Sequence, residues 1–494
     1  MSHNHTFLGI DLGTSEVKLL LIDATGAVVG RASSPLTVSR PQPLWSEQDP
    51  ADWSTATTRA VEQLRTTAPE AFSRLRAIGL SGQMHGAVLL DAQDRVLRPA
   101  ILWNDGRSHA ECEALTAAAP RLHEIAGNLA MPGFTAPKLL WVRAHEPEIF
   151  DRVRTVLLPK DYLRLLLTGE KVSDPSDAAG TLWLDVARRD WSDELLAATG
   201  LTRAHMPRLV ESNAPSGVLR GELAAAWGVA GDVVVAGGAG DNAASAIGIG
   251  ATAPGTGFVS MGTSGVLFVV NDRFRPNPAS AVHAFCHALP QRWHQMSVML
   301  TAASALRWFC QLSGTTETAL LEEIEALSPA ELAAAPLFLP YLAGERTPHN
   351  DPFATGAFHG LTHETRRAHA GYAVLEGVAF GMADGLAALR AAGTAVDRLS
   401  IVGGGARSGF WAQLMADALG VEIVRHADAD AGGALGAARL GRMAAGAGVD
   451  ESCPPPPITD RCTPAPARQD VLARRLAVFR ALYAPLRALP PIRP

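Results

Sequence analysis

Phe7 to Ile22 (FLGIDLGTSEVKLLLI) reads as a short apolar strand, a tight polar turn and a second apolar strand. The turn carries one carboxylate, Asp11, beside glycine and two hydroxyls. About 250 residues later the pattern returns from Phe258 to Val269 (FVSMGTSGVLFV), and aligning the Gly-Thr-Ser cores places Ser260 opposite Asp11. Two copies of one strand–turn–strand unit, half a chain apart, describe a duplicated domain. Only the first copy has the acid. That asymmetry points to a chemical task for the first turn that the second does not share.

A length of 494 residues exceeds what one core holds and fits about two to four domains. The duplication suggests a division into residues 1–250 and 251–490. Apolar residues make up 47% and charged residues 19%, as in a soluble globular enzyme. A net charge of −6 is small for this length and leaves no footprint for nucleic acid. The five cysteines are scattered and contain no C-x-x-C, which argues against a disulfide framework or structural zinc and fits a reducing compartment. Met1 to Thr6 is polar, and the strand behind it is too short for a signal segment. No apolar run approaches the ~18 residues of a membrane span. The expectation is a cytoplasmic protein with small-molecule partners, no nucleic acid and no membrane.

Strands alternate with helices in both halves, so the class is α/β. The opening hairpin leads through a turn at Asp23–Gly26 into a third strand, and a helix follows from Asp49 to about Ala68, begun by Asp49-Pro50. Arg76–Leu80 is a strand running into Ser81-Gly82-Gln83-Met84-His85-Gly86. Asp232–Ala236 is a buried strand, Gly237–Asn242 a glycine-rich turn and Ala243–Gly250 a helix of small residues. In the second half Ala368–Ala391 is a long helix, Leu399–Val402 a strand meeting Gly403-Gly404-Gly405-Ala406, and Ala434–Ala445 a helix. The proline cluster Cys453–Pro457 reads as a linker before a last helix from about Gln469 to Leu489.

Three glycine-rich turns follow strands, around Gly13, around Gly262 and at Gly403–Gly405. Glycine lets backbone N–H groups approach a phosphate closely. One such turn means little, but three, two of them related by the repeat, suggest a phosphate site. No Gly-Lys dipeptide occurs, which excludes a P-loop, and no G-x-G-x-x-G follows a strand. Two acids stand at strand ends. Asp11 is either functional or an Asx-turn residue, and Asp241 is either functional or a helix N-cap. A duplicated fold brings corresponding strand ends to face across a cleft, where one carboxylate could serve a metal and the other receive a hydroxyl proton. Gln83-Met84-His85 mixes donors, apolar surface and imidazole, against the plainer reading of a packed loop. Trp103-Asn104-Asp105-Gly106-Arg107 is a polar-aromatic turn suited to a sugar but not specific for one. His283 and His287 lack the further ligands zinc requires and read as packing.

These motifs together resemble the FGGY carbohydrate kinases from about Thr6 to Tyr483. The matching pieces include Gly9–Ser15 (GIDLGTS), Leu44–Pro50 (LWSEQDP), Gly82–Gly86 (GQMHG), Ile101–Arg107 (ILWNDGR), Met131–Trp141 (MPGFTAPKLLW), Gly240–Ala243 (GDNA), Gly344–His349 (GERTPH) and Val402–Ser408 (VGGGARS). Lys138 and Trp141 fall in the first family signature. In the second, Ala370 stands where a larger apolar residue is expected, a packing change. The resemblance implies two actin/hexokinase-like (ribonuclease H-like) ATPase domains around an inter-domain cleft. It implies ATP and Mg2+ as reactants, phosphorylation of the terminal 5-hydroxyl of D-xylulose, and a homodimer as the assembly the family allows. By the same resemblance Asp241 is the catalytic base and Asp11 the acid near magnesium. Gln83, Met84, His85 and Trp103 bind the sugar together with Asp241, while Thr14, Gly262, Thr263, Gly403, Gly404, Gly405 and Ala406 bind ATP.

The mechanism that follows is in-line transfer. A loose transition state lets the proton move late, so an aspartate of ordinary pKa suffices. Kinases for ribulose, gluconate or glycerol share the fold, and fold alone does not separate them; the Gln83-Met84-His85 loop favours xylulose. A non-catalytic sugar or nucleotide sensor would be marked by loss of Asp11 or Asp241, and both are present.

Overall fold

The computed structural model describes residues 5–427 and 432–489; residues 1–4 of the polar N-terminus lie outside them. Two seven-stranded sheets organise the chain. The first contains β1 (Thr6–Leu12), β2 (Glu16–Asp23), β3 (Val28–Pro35), β4 (Leu75–Gly82), β5 (Pro215–Val218), β6 (Val234–Ala236) and β7 (Ala239–Gly240). Its order is β5-β6-β4-β1-β2-β3, with β7 also pairing β4. The second contains β8 (Thr256–Met261), β9 (Gly265–Asn271), β10 (His283–Cys286), β11 (Trp293–Met299), β12 (Arg398–Val402), β13 (Glu422–His426) and β14 (Ile458–Cys462), in the order β10-β11-β9-β8-β12-β13-β14.

The duplication is visible in the pairing. An antiparallel meander, β1-β2-β3 in one sheet and β8-β9-β11 in the other, adjoins a parallel strand, β4 or β12. A second parallel strand and an antiparallel edge strand follow in both. The two Gly-Thr-Ser turns join the paired hairpins, as the sequence repeat requires. One element departs from expectation. The stretch after the proline cluster is a strand, β14, paired at the sheet edge with β13. An edge strand tolerates neighbouring prolines because they leave no ladder hydrogen bond unmade.

The helix Gly432–Ala444, late in the chain, lies on the first sheet. Gly9 and Gly79 stand opposite one another in β1 and β4, and a Cβ there would come within 1.9 Å of Ala434 O and 1.7 Å of Ala437 O. Backbone therefore rests on backbone. The other face of this helix crosses the helix Asp241–Gly248, where a Cβ on Gly436 would lie 1.7 Å from Ala244 O and Arg439 donates to Ile247 O at 3.0 Å.

Apolar packing does not respect the midpoint of the chain. One core joins Trp141, Trp183 and Ala246 of the first half to Phe258, Phe268, Phe285 and Met296 of the second. The helix Arg367–Ala391 is long and apolar enough to cross a membrane, but 94% of its most apolar stretch is buried inside the fold. It centres the core of the second half, and its acid Glu376 pairs with Arg475 at 2.6 Å.

Candidate active site

Asp11, Ser81 and Asp241 come together at the C-terminal ends of parallel strands, where open α/β sheets place their ligands. Asp11 is opposite Ser81 in the β1–β4 register, and Ala239-Gly240 lie opposite Ser81-Gly82. One intervening strand puts the two acids on the order of 10 Å apart along the backbone. Asp11 is a strand residue and makes no Asx turn: its Oδ1 accepts from Ser81 Oγ at 2.8 Å. Burial raises its pKa against the lowering effects of the Ser81 bond and Lys18. Gly433, the second residue of the helix Gly432–Ala444, presses on this carboxyl, a Cβ there falling 2.9 Å from Asp11 Cγ.

Asp241 is the first residue of its helix, and Gly240 occupies the cap position. The helix thus starts two residues before the sequence suggests. Asp241 Oδ1 accepts from Asn242 N at 2.7 Å and from Asn242 Nδ2 at 2.9 Å. Its Oδ2 takes no hydrogen bond among the described residues. The carboxyl is pushed up to about 6, first by burial and then by the charge of Asp11. An ordinary pKa would suffice for the transfer, but a part-buried acid facing a second acid does not keep one.

The residues expected to bind the sugar converge beside Asp241. Met84 is buried against Gly240, where a Cβ would lie 2.8 Å from the Met84 sulfur. His85 is in the left-handed region at φ 70°, held there by Lys138 Nζ and Thr135 Oγ1, which donate to its carbonyl at 2.8 and 3.2 Å. Its Nδ1 lies 2.6 Å from Gly180 O, so Nδ1 carries the hydrogen and Nε2 is left as an acceptor. Burial pushes this imidazole down to about 3, keeping it neutral. Phe134 packs on the ring at 4.7 Å and Phe285 at 6.3 Å.

Trp103, 49% exposed, donates from Nε1 to Thr14 Oγ1 at 3.0 Å, and Thr14 Oγ1 donates to Gln83 Oε1 at 3.0 Å. The Thr14 hydroxyl is therefore engaged by Trp103 and Gln83, and its carbonyl accepts from Gln48 Nε2 at 2.8 Å. The remaining residues expected to bind ATP gather on the second sheet. Ser260 is opposite Val402 in the β8–β12 register, and a Cβ on Gly403 would lie 2.9 Å from Met261 O. Gly405 packs on Met261 in the same way, with Gly404 and Ala406 in the same short 3-10 turn. Gly262 and Thr263 are fastened by their carbonyls to Ala303 N at 2.8 Å and Ala302 N at 2.9 Å.

Two residues to which the sequence assigns no role at the site also stand here. Arg346, from the Gly344–His349 loop, is close enough to His85 and His283 to help hold both imidazoles neutral, and makes no ion pair among the described residues. Its loop is stitched to β11 by Thr347 N donating to Val298 O at 3.1 Å. His283 Nδ1 sits 3.1 Å from Asn128 Oδ1 with its ring stacked on Phe285 at 5.6 Å. From sequence His283 reads as packing; its partner Asn128 comes from a distant segment and is not legible there.

Residues 6–248 match the N-terminal domain of the FGGY family of carbohydrate kinases, and residues 257–445 match its C-terminal domain. A xylulose kinase of Escherichia coli is 52% identical over 97% of this chain and 99% of its own. A solved structure described as a xyloylose kinase from Brucella ovis superimposes with a TM-score of 0.95 at 54% identity, covering 98% of this chain and all of that one. The xylulose kinase structure from Rhodospirillum rubrum gives 0.91 at 31% identity over 98% and 99% of the two chains. With both domain matches spanning most of the chain and the duplicated sheets behind them, this protein belongs to the FGGY family of carbohydrate kinases.

Proposed function

We propose that this kinase transfers the γ-phosphoryl group of ATP to the terminal 5-hydroxyl of D-xylulose. The observation that carries the reading is the placement of an acid with an open oxygen, Asp241, beside the Met84–His85 pocket at the strand ends. The similarity to xylulose kinases over nearly the whole chain supports the choice of sugar. Residues 1–250 supply the sugar side and the base, and residues 251–490 the nucleotide turns.

In the reaction the sugar O5 attacks the γ-phosphorus in line, the bond to the β,γ-bridging oxygen breaks, and the hydroxyl proton passes to Asp241 Oδ2. His85 Nε2 accepts a hydrogen bond from a sugar hydroxyl, while its Nδ1–H stays on Gly180 O. The backbone turns Gly262–Thr263 and Gly403–Ala406 hold the ATP phosphates, with Thr14 N–H reaching from the first sheet. General-base help of this kind contributes about 10²–10⁴-fold, and positioning with charge neutralisation supplies the rest. Among the described residues no group of three or more His, Cys, Asp or Glu side chains could cage a metal ion. The residues do fit Mg2+, which binds through one or two carboxylates plus phosphates and keeps its waters, and Asp11 offers one such oxygen beyond the one Ser81 occupies. When bound, the cation neutralises charge on the transferred phosphoryl group. A cytoplasmic homodimer is the working assembly, checked by sedimentation.

Asp241→Asn should lower kcat by about 10²–10⁴-fold while ATP affinity holds. Near-parental turnover would remove Asp241 from the role. ADP release with D-xylulose, beside D-ribulose, L-ribulose, gluconate and glycerol, tests the sugar: stimulation by another of these would keep the kinase and replace the substrate.

A further inference from the structure

The segment Asp174–Thr181 touches both sides of the proposed site. Ser176 Oγ accepts from Gly240 N at 3.3 Å, the residue just before Asp241. Four residues on, Gly180 O accepts from His85 Nδ1 at 2.6 Å. A Cβ on Gly180 would fall 2.6 Å from that nitrogen and 2.8 Å from Met84 Cε, so only a glycine lets the backbone come this near.

The segment is anchored by charges removed from water. Lys160 Nζ lies 2.6 Å from Asp161, 2.8 Å from Asp174 and 3.1 Å from Asp177, and Arg164 lies 2.7 Å from Asp161. All five side chains are fully buried. Asp174 also caps the helix Pro175–Ala178 through Ser176 N at 2.9 Å and accepts from Ser212 Oγ at 2.6 Å. The glycine-rich turn before Asp241 is held by the same cluster: Arg164 donates to Gly237 O, and Gly238 N donates to Ser212 O at 2.9 Å. Buried ion clusters contribute little net stability compared with apolar packing, because desolvation offsets the attraction. What this one supplies is a fixed geometry shared by the segment and the turn.

We propose that Asp174–Thr181 is a positioning segment that keeps the base and the sugar-binding histidine in register, Ser176 acting on Asp241 and Gly180 on His85 and Met84. The proposal rests on the reading of Asp241 and His85 given above. Neither Ser176 nor Gly180 touches the reacting atoms.

The two contacts separate in kinetics. Ser176→Ala should lower kcat for D-xylulose roughly tenfold, within the ~10²-fold that a misplacement of 1 Å from outside the chemistry can cost, with both KM values near parental. Gly180→Ala should raise the KM for D-xylulose roughly tenfold and leave the KM for ATP unchanged. Stoichiometry of ATP binding by calorimetry counts folded sites in each variant. Parental kcat and KM in both variants would overturn the proposal, and so would activity lost only in proportion to lost ATP sites. Asp241→Asn and His85→Ala, run alongside, separate the two failures. If Asp241→Asn turns over normally, the reading of the base is wrong. If it is inactive while the Ser176 and Gly180 variants behave as the parent, only the positioning proposal falls.

Discussion

Asp241 illustrates how a functional carboxylate works against the fold that holds it. Its pKa in the folded chain is about 6, against about 3.9 unfolded. The native state therefore binds this proton more tightly, and the contribution to stability falls as pH rises from about 4 through 6. A shift of about two units corresponds to about 3 kcal/mol at most, an upper bound because the residue is only part-buried. Asparagine cannot ionise, so Asp241→Asn in the metal-free protein should raise the denaturation midpoint at pH 8 and leave it unchanged at pH 4. Equal midpoints at both values would show that neither the burial of this carboxyl nor the charge of Asp11 is felt by the fold. The sequence identifies both acids from their strand-end turns. It cannot show that Oδ1 of each is occupied, by Ser81 and by Asn242, because those bonds depend on register and on the helix start.

At the scale of elements, the crossing of helices Asp241–Gly248 and Gly432–Ala444 depends on glycine at 436. Alanine there would gain about 1 kcal/mol in helix propensity. The new Cβ, however, would meet a backbone oxygen at 1.7 Å, which no rotamer change relieves, and overpacking costs about 1–3 kcal/mol. The clash wins. Gly436→Ala should lower the urea midpoint and, since Asp241 opens the partner helix, lower kcat as well. Gly221→Ala, with nothing within 4 Å of the added carbon, should leave both unchanged or raise stability. The hairpins, the long core helix and the glycine turns were legible because each is a local pattern of apolar period and turn residues. Where Gly432–Ala444 lies was not, since a helix of small residues reports no partner. Nor was β14, whose edge pairing is hidden behind prolines, or the placement of Asp174–Thr181, fixed by charges scattered from 160 to 177.

For the whole molecule, the shared core and the returning helix make the halves interdependent. Calorimetry should show one unfolding transition, because the core around Phe268 and Trp141 belongs to both halves. A chain of residues 1–250 alone would expose Gly9 and Gly79 and the apolar surface around them. We expect it to be insoluble when expressed by itself and recovered on co-expression with residues 251–490; a soluble, cooperatively folded fragment would contradict this. The backbone contact of residues 432–444 with β1 and β4 also bears on how such a protein can be recombined. A chimera that takes its second half from a relative inherits a foreign helix against a native sheet, where backbone meets backbone at Gly9 and Gly79 and leaves little slack to absorb a mismatch. The unit that must travel together is the pair of strands and the helix laid on them, although most of the chain separates the two.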